Sequence, residues 1–169
     1  MCNKLDFALI EGISHNPAMH IEEYMEDRLS IIASPKEGFR QGQRLTLEQF
    51  RQQRFLLREP GSGTREVFNR AAENVGISVK PIWEATSTTA LVNAVINGLG
   101  LAVLPQRMIQ GALRRGLVVT ICAEGMDFRR SFYIIHHKDK YLTPAAKVFL
   151  DICRNYEMDY PLPQYNGLF

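Results

Sequence analysis

The chain has 169 residues, of which 46% are hydrophobic and 22% charged. That length allows one core or two small lobes and excludes a large multidomain enzyme, and that composition excludes a disordered or collagen-like chain. The formal charge of +2 hides an asymmetry: residues 34–129 carry 13 Lys/Arg against 8 Asp/Glu and the remainder 7 against 10, so the middle of the chain prefers anions, too weakly for a nucleic-acid footprint.

In chain order, Leu5-Asp6-Phe7-Ala8-Leu9-Ile10 and Arg28-Leu29-Ser30-Ile31-Ile32-Ala33 are short apolar runs that read as buried strands, with a loop between them. Residues 35–54 turn polar and Gly-rich and read as a linker region with one short helix, signalled by Thr46 as N-cap and Gln49 as its capping-box partner. Residues 54–57 resume a strand, and Glu59-Pro60-Gly61-Ser62-Gly63 is a turn. Val67, Phe68, Ala71, Ala72 and Val75 then mark one face of a helix that stops at Gly76.

Residues 79–83 read as a strand. Ser87 or Thr88 caps a second helix with Leu91, Val92, Val95, Ile96 and Leu99 inward, and residues 100–104 give another strand. This strand and helix alternation predicts an α/β fold with a parallel sheet and right-handed crossovers. Pro105 opens a further helix that ends at Gly116, and strands follow over residues 117–122 and 131–136. Thr143-Pro144 starts a last helix with Ala145, Val148, Phe149, Ile152 and Cys153 inward, and a Pro-interrupted aromatic tail begins at Tyr156. The first strand has no helix beside it although a buried parallel strand needs cover on both faces, so the N-terminal part of a larger domain is expected to be missing. Residues 1–33 and the tail are then expected to be rearranged, swapped with another copy or covered by a partner chain.

The sharpest chemical signal is Pro60-Gly61-Ser62-Gly63-Thr64-Arg65 between a strand and a helix. Two glycines let successive N–H groups point outward, the helix N-terminus adds partial positive charge, and Ser62, Thr64 and Arg65 supply donors: an anion cradle, or simply a turn with a capped helix. Arg65 either contacts the anion or faces solvent. A second junction, Glu84-Ala85-Thr86-Ser87-Thr88-Thr89, offers four hydroxyls at another helix start, which serve a ligand or only cap the helix. In a parallel sheet both junctions lie at the carboxyl edge, where open α/β sheets bind ligands.

No catalytic constellation emerges. GxSxG is absent, His15 and His20 lack metal spacing, adjacent His136 and His137 point to opposite faces of a strand, and Glu22, Glu23, Glu26 and Asp27 read as a solvated acidic loop. Cys2, Cys122 and Cys153 form neither a disulfide framework nor a CxxC site, which favours a reducing cytoplasm. No apolar run reaches the roughly 18 residues of a membrane span, and Met1-Cys2-Asn3-Lys4 lacks the apolar core of a signal peptide. The expectation is therefore no metal, no cofactor and no membrane partner.

Three segments, Phe55-Leu56-Leu57-Arg58-Glu59-Pro60-Gly61-Ser62-Gly63-Thr64-Arg65, then Glu84-Ala85-Thr86-Ser87, then Ala94-Val95-Ile96-Asn97-Gly98-Leu99-Gly100-Leu101-Ala102-Val103-Leu104-Pro105, closely resemble the effector-binding domain of LysR-type transcriptional regulators. Leu5-Asp6-Phe7-Ala8-Leu9-Ile10-Glu11-Gly12 and Leu142-Thr143-Pro144-Ala145-Ala146 fit the same family in the same order.

The resemblance implies a type 2 periplasmic-binding-protein-like fold: two α/β lobes joined by two crossover strands, with a small effector in an interlobe cleft. On that pattern residues 34–129 form one lobe, and residues 1–33 with 130–160 form part of the other, its N-terminal part missing. A tail spans 161–169. Carried over by position, Glu11, Gly12, Ile13, Ser62, Gly63, Thr64, Thr86, Ser87 and Thr88 line the cleft, with Arg65 beside them. The implied protein is a ligand sensor and not an enzyme, with a small anionic effector, a homo-oligomeric assembly, and DNA reached only through a winged helix-turn-helix absent here. The rival readings are a fragment of an exported solute-binding protein for a small anion and a small hydrolase or transferase using Ser62.

Overall fold

Strands buried on both faces read as unbroken apolar runs, and the alternation of side chains sorts such a run between two cores. Leu29, Ile31, Ala33, Phe55, Leu57, Leu101 and Val103 enter one cluster, while Ile32, Leu56, Ala102 and Leu104 enter a second. The computed structural model describes residues 5–11 and 16–156. Their elements in order are β1 (Ala8–Glu11), β2 (Met19–Ala33), β3 (Gln43–Leu45), α1 (Leu47–Arg51), β4 (Leu56–Arg58), α2 (Gly63–Asn74), β5 (Trp83–Ala85), α3 (Thr88–Ile96), β6 (Ala102–Pro105), α4 (Gln106–Arg114), β7 (Val119–Ala123), β8 (Arg129–His137) and α5 (Pro144–Arg154). The chain divides into two units, Arg28–Arg129 and the residues on either side of it, and passes between them within β2 and at the start of β8.

In the Arg28–Arg129 unit, β4 pairs with β5 in parallel, Leu56↔Trp83 to Arg58↔Ala85. A parallel bridge, Phe55↔Leu101, joins β4 to the chain entering β6. β6 and β7 flank the end of β2, both antiparallel to it (Leu29↔Pro105, Ile31↔Ile121), and β3 adds to β7 in parallel. The α/β class therefore holds, and β4, β5 and the chain entering β6 run parallel as their alternation with helices predicts, while the end of β2 lies antiparallel to β6 and β7 and makes the sheet mixed. The antiparallel strand is β2, which enters from the other unit and needs no helical crossover to reach its neighbours.

Helices cover this sheet on both faces. One core holds Val67, Phe68, Ala71 and Ala72 of α2 with Phe50 of α1, and an aromatic row runs Phe50–Phe55–Phe68–Phe128 at centroid spacings of 4.8, 5.8 and 6.5 Å. The other holds Leu91, Ala94 and Val95 of α3 with Ile109 and Ala112 of α4. Leu99, expected inward, is exposed. The linker reading of residues 35–54 is also corrected: β3 belongs to the sheet and Phe50 is fully buried. The Thr46/Gln49 capping box starts α1 as expected and points Phe50 at the core.

The strand expected over residues 79–83 is displaced: β5 begins only at Trp83 and runs on to Ala85, after Pro81, which has no N–H to give a ladder. α2 ends in a Schellman motif: the Ile77 N–H donates to the Ala72 carbonyl and the Gly76 N–H to the Glu73 carbonyl, with Gly76 at φ 71°.

In the other unit β1 pairs antiparallel with β8, Ala8↔Ile135 to Glu11↔Phe132, and β8 lies between β1 and β2. The loop expected between the first two apolar runs is corrected. Residues 19–27 are strand, so His20, Glu22, Glu23, Glu26 and Asp27 project from β2, and Asp27 is buried against Arg130 (Nε to Oδ2, 2.7 Å). Thr143 caps α5 as expected, accepting the Ala146 N–H at 3.2 Å. Its inward face differs from the expected one: Ala146 and Leu150 are buried, Cys153 is half-buried, and Ala145, Val148, Phe149 and Ile152 are exposed. Two adjacent stripes of this helix are apolar, and spacing alone does not choose between them. Residues 1–4, 12–15 and 157–169, hence Cys2, His15 and most of the expected tail, lie outside the described residues.

Candidate functional site

The two junctions singled out by sequence come together because β4 and β5 are adjacent parallel strands, so both loops leave the same edge of the sheet. After Arg58 the Ser62 N–H donates to the Glu59 carbonyl at 3.2 Å, and Gly61 takes φ 86°, a left-handed conformation that favours glycine. Ser62 is then the N-cap of α2, and its side chain makes no capping hydrogen bond. By contrast, the Ser87 hydroxyl accepts the Ala90 N–H at 3.2 Å, and Thr46 and Thr143 cap in the same way. The Ser62 hydroxyl therefore stands beside the positive end of a helix without the capping role usual for serine there.

Thr64 is buried, Gly63 half-buried, Thr86 exposed, and Thr88 buried at the first position of α3. Ser87 is committed to the cap of α3. Arg65 neither faces open solvent nor points away from the fold. Its Nη1 donates to the Arg58 carbonyl and to Glu84 Oε1, each at 2.8 Å, and its Nε donates to Asn69 Oδ1 at 3.1 Å, which ties α2 to β4 and β5.

Sequence reasoning overlooked Arg58, the last residue of β4. Its Nε and Nη2 grip the Glu59 carboxylate at 2.8 and 2.9 Å, and its Nη1 donates to Thr88 Oγ1 at 3.4 Å. Those hydrogen bonds, with a further one from Glu59's own backbone, hold the Glu59 carboxyl below its ordinary range. The available signal was its place, an arginine at a strand end immediately before a Gly-rich turn.

Glu11 belongs to the other unit, where its carboxylate accepts from Arg130 Nη1, and Arg130 also lies over the Phe132 ring at 5.1 Å. Gly12 and Ile13 lie outside the described residues. Among the described residues no group of three His, Cys, Asp or Glu is placed to hold a metal ion, and no helix is long and apolar enough to cross a membrane.

The family model of the LysR substrate binding domain matches residues 2–157. The chain is 32% identical over 150 residues to the HTH-type transcriptional regulator YeiE of Escherichia coli (strain K12), covering 89% of this chain and 51% of that protein. It is 31% identical over 147 residues to the RuBisCO operon transcriptional regulator of Allochromatium vinosum, covering 87% and 49%. The chain thus spans about half the length of these curated relatives, and neither is named a solute-binding protein. Among solved structures, the regulatory domain of Synechocystis PCC6803 CcmR in complex with 2-PG superposes with a TM-score of 0.79 at 20% identity, over 90% of this chain and 73% of that one. The α/β fold is that of LysR regulatory domains, and the chain belongs to the LysR substrate binding domain family.

Proposed function

We propose that this chain is the effector-sensing part of a cytoplasmic, homo-oligomeric LysR-type transcriptional regulator, a binding module and not an enzyme. Its effector is a small anion held at the carboxyl edge of β4 and β5 by Ser62, Gly63, Thr64 and Thr86. The observation that carries this reading is Ser62, whose side chain makes no cap on α2 although it occupies the N-cap position. Backbone N–H groups of a helix's first turn and the helix dipole favour negative charge at such a place, and an uncommitted hydroxyl adds a donor. A relative solved with a small ligand, 2-PG, supports the general mode. Effector binding then shifts the population toward a conformation that changes how the full-length regulator engages DNA.

Calorimetric titration of the chain with inorganic phosphate tests the site. Ser62→Ala removes one hydrogen bond, about 1 kcal/mol, and lowers affinity by roughly 5-fold. Unchanged affinity places the anion elsewhere. Trp83, the sole tryptophan, lies on β5 and is 40% exposed, so its fluorescence reports the same titration.

A further inference from the structure

Two guanidinium groups stand at the carboxyl edge of β4 and β5, and the fold uses them differently. Arg65 is a brace, donating to a main-chain carbonyl, to Asn69 and to Glu84. Arg58 instead presents its Nε/Nη2 edge, the edge whose two parallel N–H groups match a carboxylate or phosphate, to the side chain of its own neighbour Glu59. Its remaining nitrogen reaches Thr88 at the first turn of α3, and Glu59 opens the turn that leads into α2. The fork therefore stands where two helix N-termini add positive potential.

The two partners differ in how firmly they are held. The Arg58 side chain is 21% exposed and is anchored by Thr88, whereas the Glu59 carboxylate is 33% exposed and leads into a turn. Such a partly solvated pair contributes little to stability, so exchanging its anion costs the fold little. Neighbours in sequence also form the pair without closing a loop, so the carboxylate is always at hand when the fork is empty.

We propose that Arg58 is the specificity-determining residue for the anionic group of the effector, and that Glu59 is a resident competitor displaced from the guanidinium by an incoming carboxylate or phosphate. This rests on the reading that the junctions around Ser62 and Thr88 hold the effector. The affinity of the site is then set by the difference between two anions on one fork. Removing the competitor raises it, and removing the fork lowers it.

The test is calorimetric titration of the full chain with inorganic phosphate at low ionic strength, for wild type, Glu59→Gln, Arg58→Lys, the Arg58→Lys/Glu59→Gln double variant and Ser62→Ala. Glu59→Gln is expected to bind phosphate at least 5-fold more tightly, a gain that misfolding does not produce. Arg58→Lys keeps the charge but loses the paired donors, and is expected to bind at least 5-fold more weakly. The double variant is expected to show much less than the single-variant gain, because the competitor acts through the fork. If Ser62→Ala weakens binding while Glu59→Gln leaves it unchanged or weaker, the inference is overturned and the site reading stands. If neither Ser62→Ala nor the Arg58 and Glu59 variants move the affinity, or neither wild type nor Glu59→Gln binds, both fall.

Discussion

Gly100 sits where no side chain fits. A Cβ there would lie 2.4 Å from the Arg54 carbonyl oxygen, which accepts the Leu101 N–H at 2.8 Å and holds β4 beside the chain entering β6. A backbone atom cannot swing aside as a side-chain tip would, so Gly100→Ala is expected to cost about 2–3 kcal/mol, read as a drop in the urea midpoint at unchanged slope. A loss below about 0.5 kcal/mol would show that the junction yields. Gly111 is the contrast: it lies inside α4, and an added Cβ meets nothing closer than Arg115 Nη2 at 3.9 Å. Gly111→Ala is expected to stabilise by about 0.5–1 kcal/mol through helix propensity, with a raised midpoint as the check. The sequence sets Gly111 inside a helix and Gly100 at the start of a strand, but only the folded backbone shows the Arg54 carbonyl against Gly100. The same holds for Arg58 and Arg65: two arginines flank one Gly-rich turn, and which becomes a brace depends on Glu84 of β5, brought alongside by strand pairing.

At the scale of elements, helices were legible where local chemistry decides them, because a cap or a terminal glycine acts within a few residues. α1, α3 and α5 start at the caps expected, α2 starts at Ser62, two residues before the expected Thr64, and Gly76 ends α2. Strand β2 was only half legible. Met19, Ile21 and Met25 alternate toward its N-terminal end, but Glu23 interrupts their face and Tyr24 falls on the opposite one, so nothing local separates this stretch from a loop. Its role appears in Glu22, whose carboxylate accepts from Nε and Nη2 of Arg154 at 2.7 and 2.8 Å and ties β2 to the end of α5. The hydrogen bond from Arg154 outweighs partial burial, and His20 and His136 add to it, so the Glu22 pKa lies below its ordinary 4.5. A carboxyl whose folded-state pKa is lowered stabilises the fold above the unfolded value, and that contribution disappears as pH falls through the folded one. Glu22→Gln is therefore expected to lower stability at pH 7 and to differ progressively less from wild type as pH falls below 4.5. Urea melts of both proteins at pH 7 and at about pH 3 decide it, and a gap that persists at the lower pH contradicts the assignment.

At the scale of the whole molecule, the α/β class and the order of elements follow from apolar periodicity, whereas the antiparallel place of β2 does not, because its partners β6 and β7 lie far along the chain. The two units also differ in how much core each owns. In the Arg28–Arg129 unit the sheet is buried on both faces, with Phe50, Phe55, Leu56, Leu91, Val95 and Ile109 at most 1% exposed. In the other, the buried apolar side chains among the described residues are Ile134, Ala146 and Leu150, and Val148, Phe149 and Ile152 of α5 are 60, 47 and 59% exposed. Burial stabilises by roughly 25 cal/mol per Å² of apolar surface, so the unit holding β8 and α5 is expected to open at lower free energy than the sheet around β4 and β6. Trp83 lies in the better-packed unit, so its fluorescence follows that unit, while far-ultraviolet dichroism follows the helices of both. Denaturant unfolding is therefore expected to lose part of its dichroism before the tryptophan signal moves, with an apolar dye binding in between. Native-state hydrogen exchange is expected to release the amides of β8, including Ile134, before those of Val103 and Leu104 in β6. Coincident transitions by both optical probes, together with equal protection at Ile134 and Val103, would instead establish one cooperative core shared by both units.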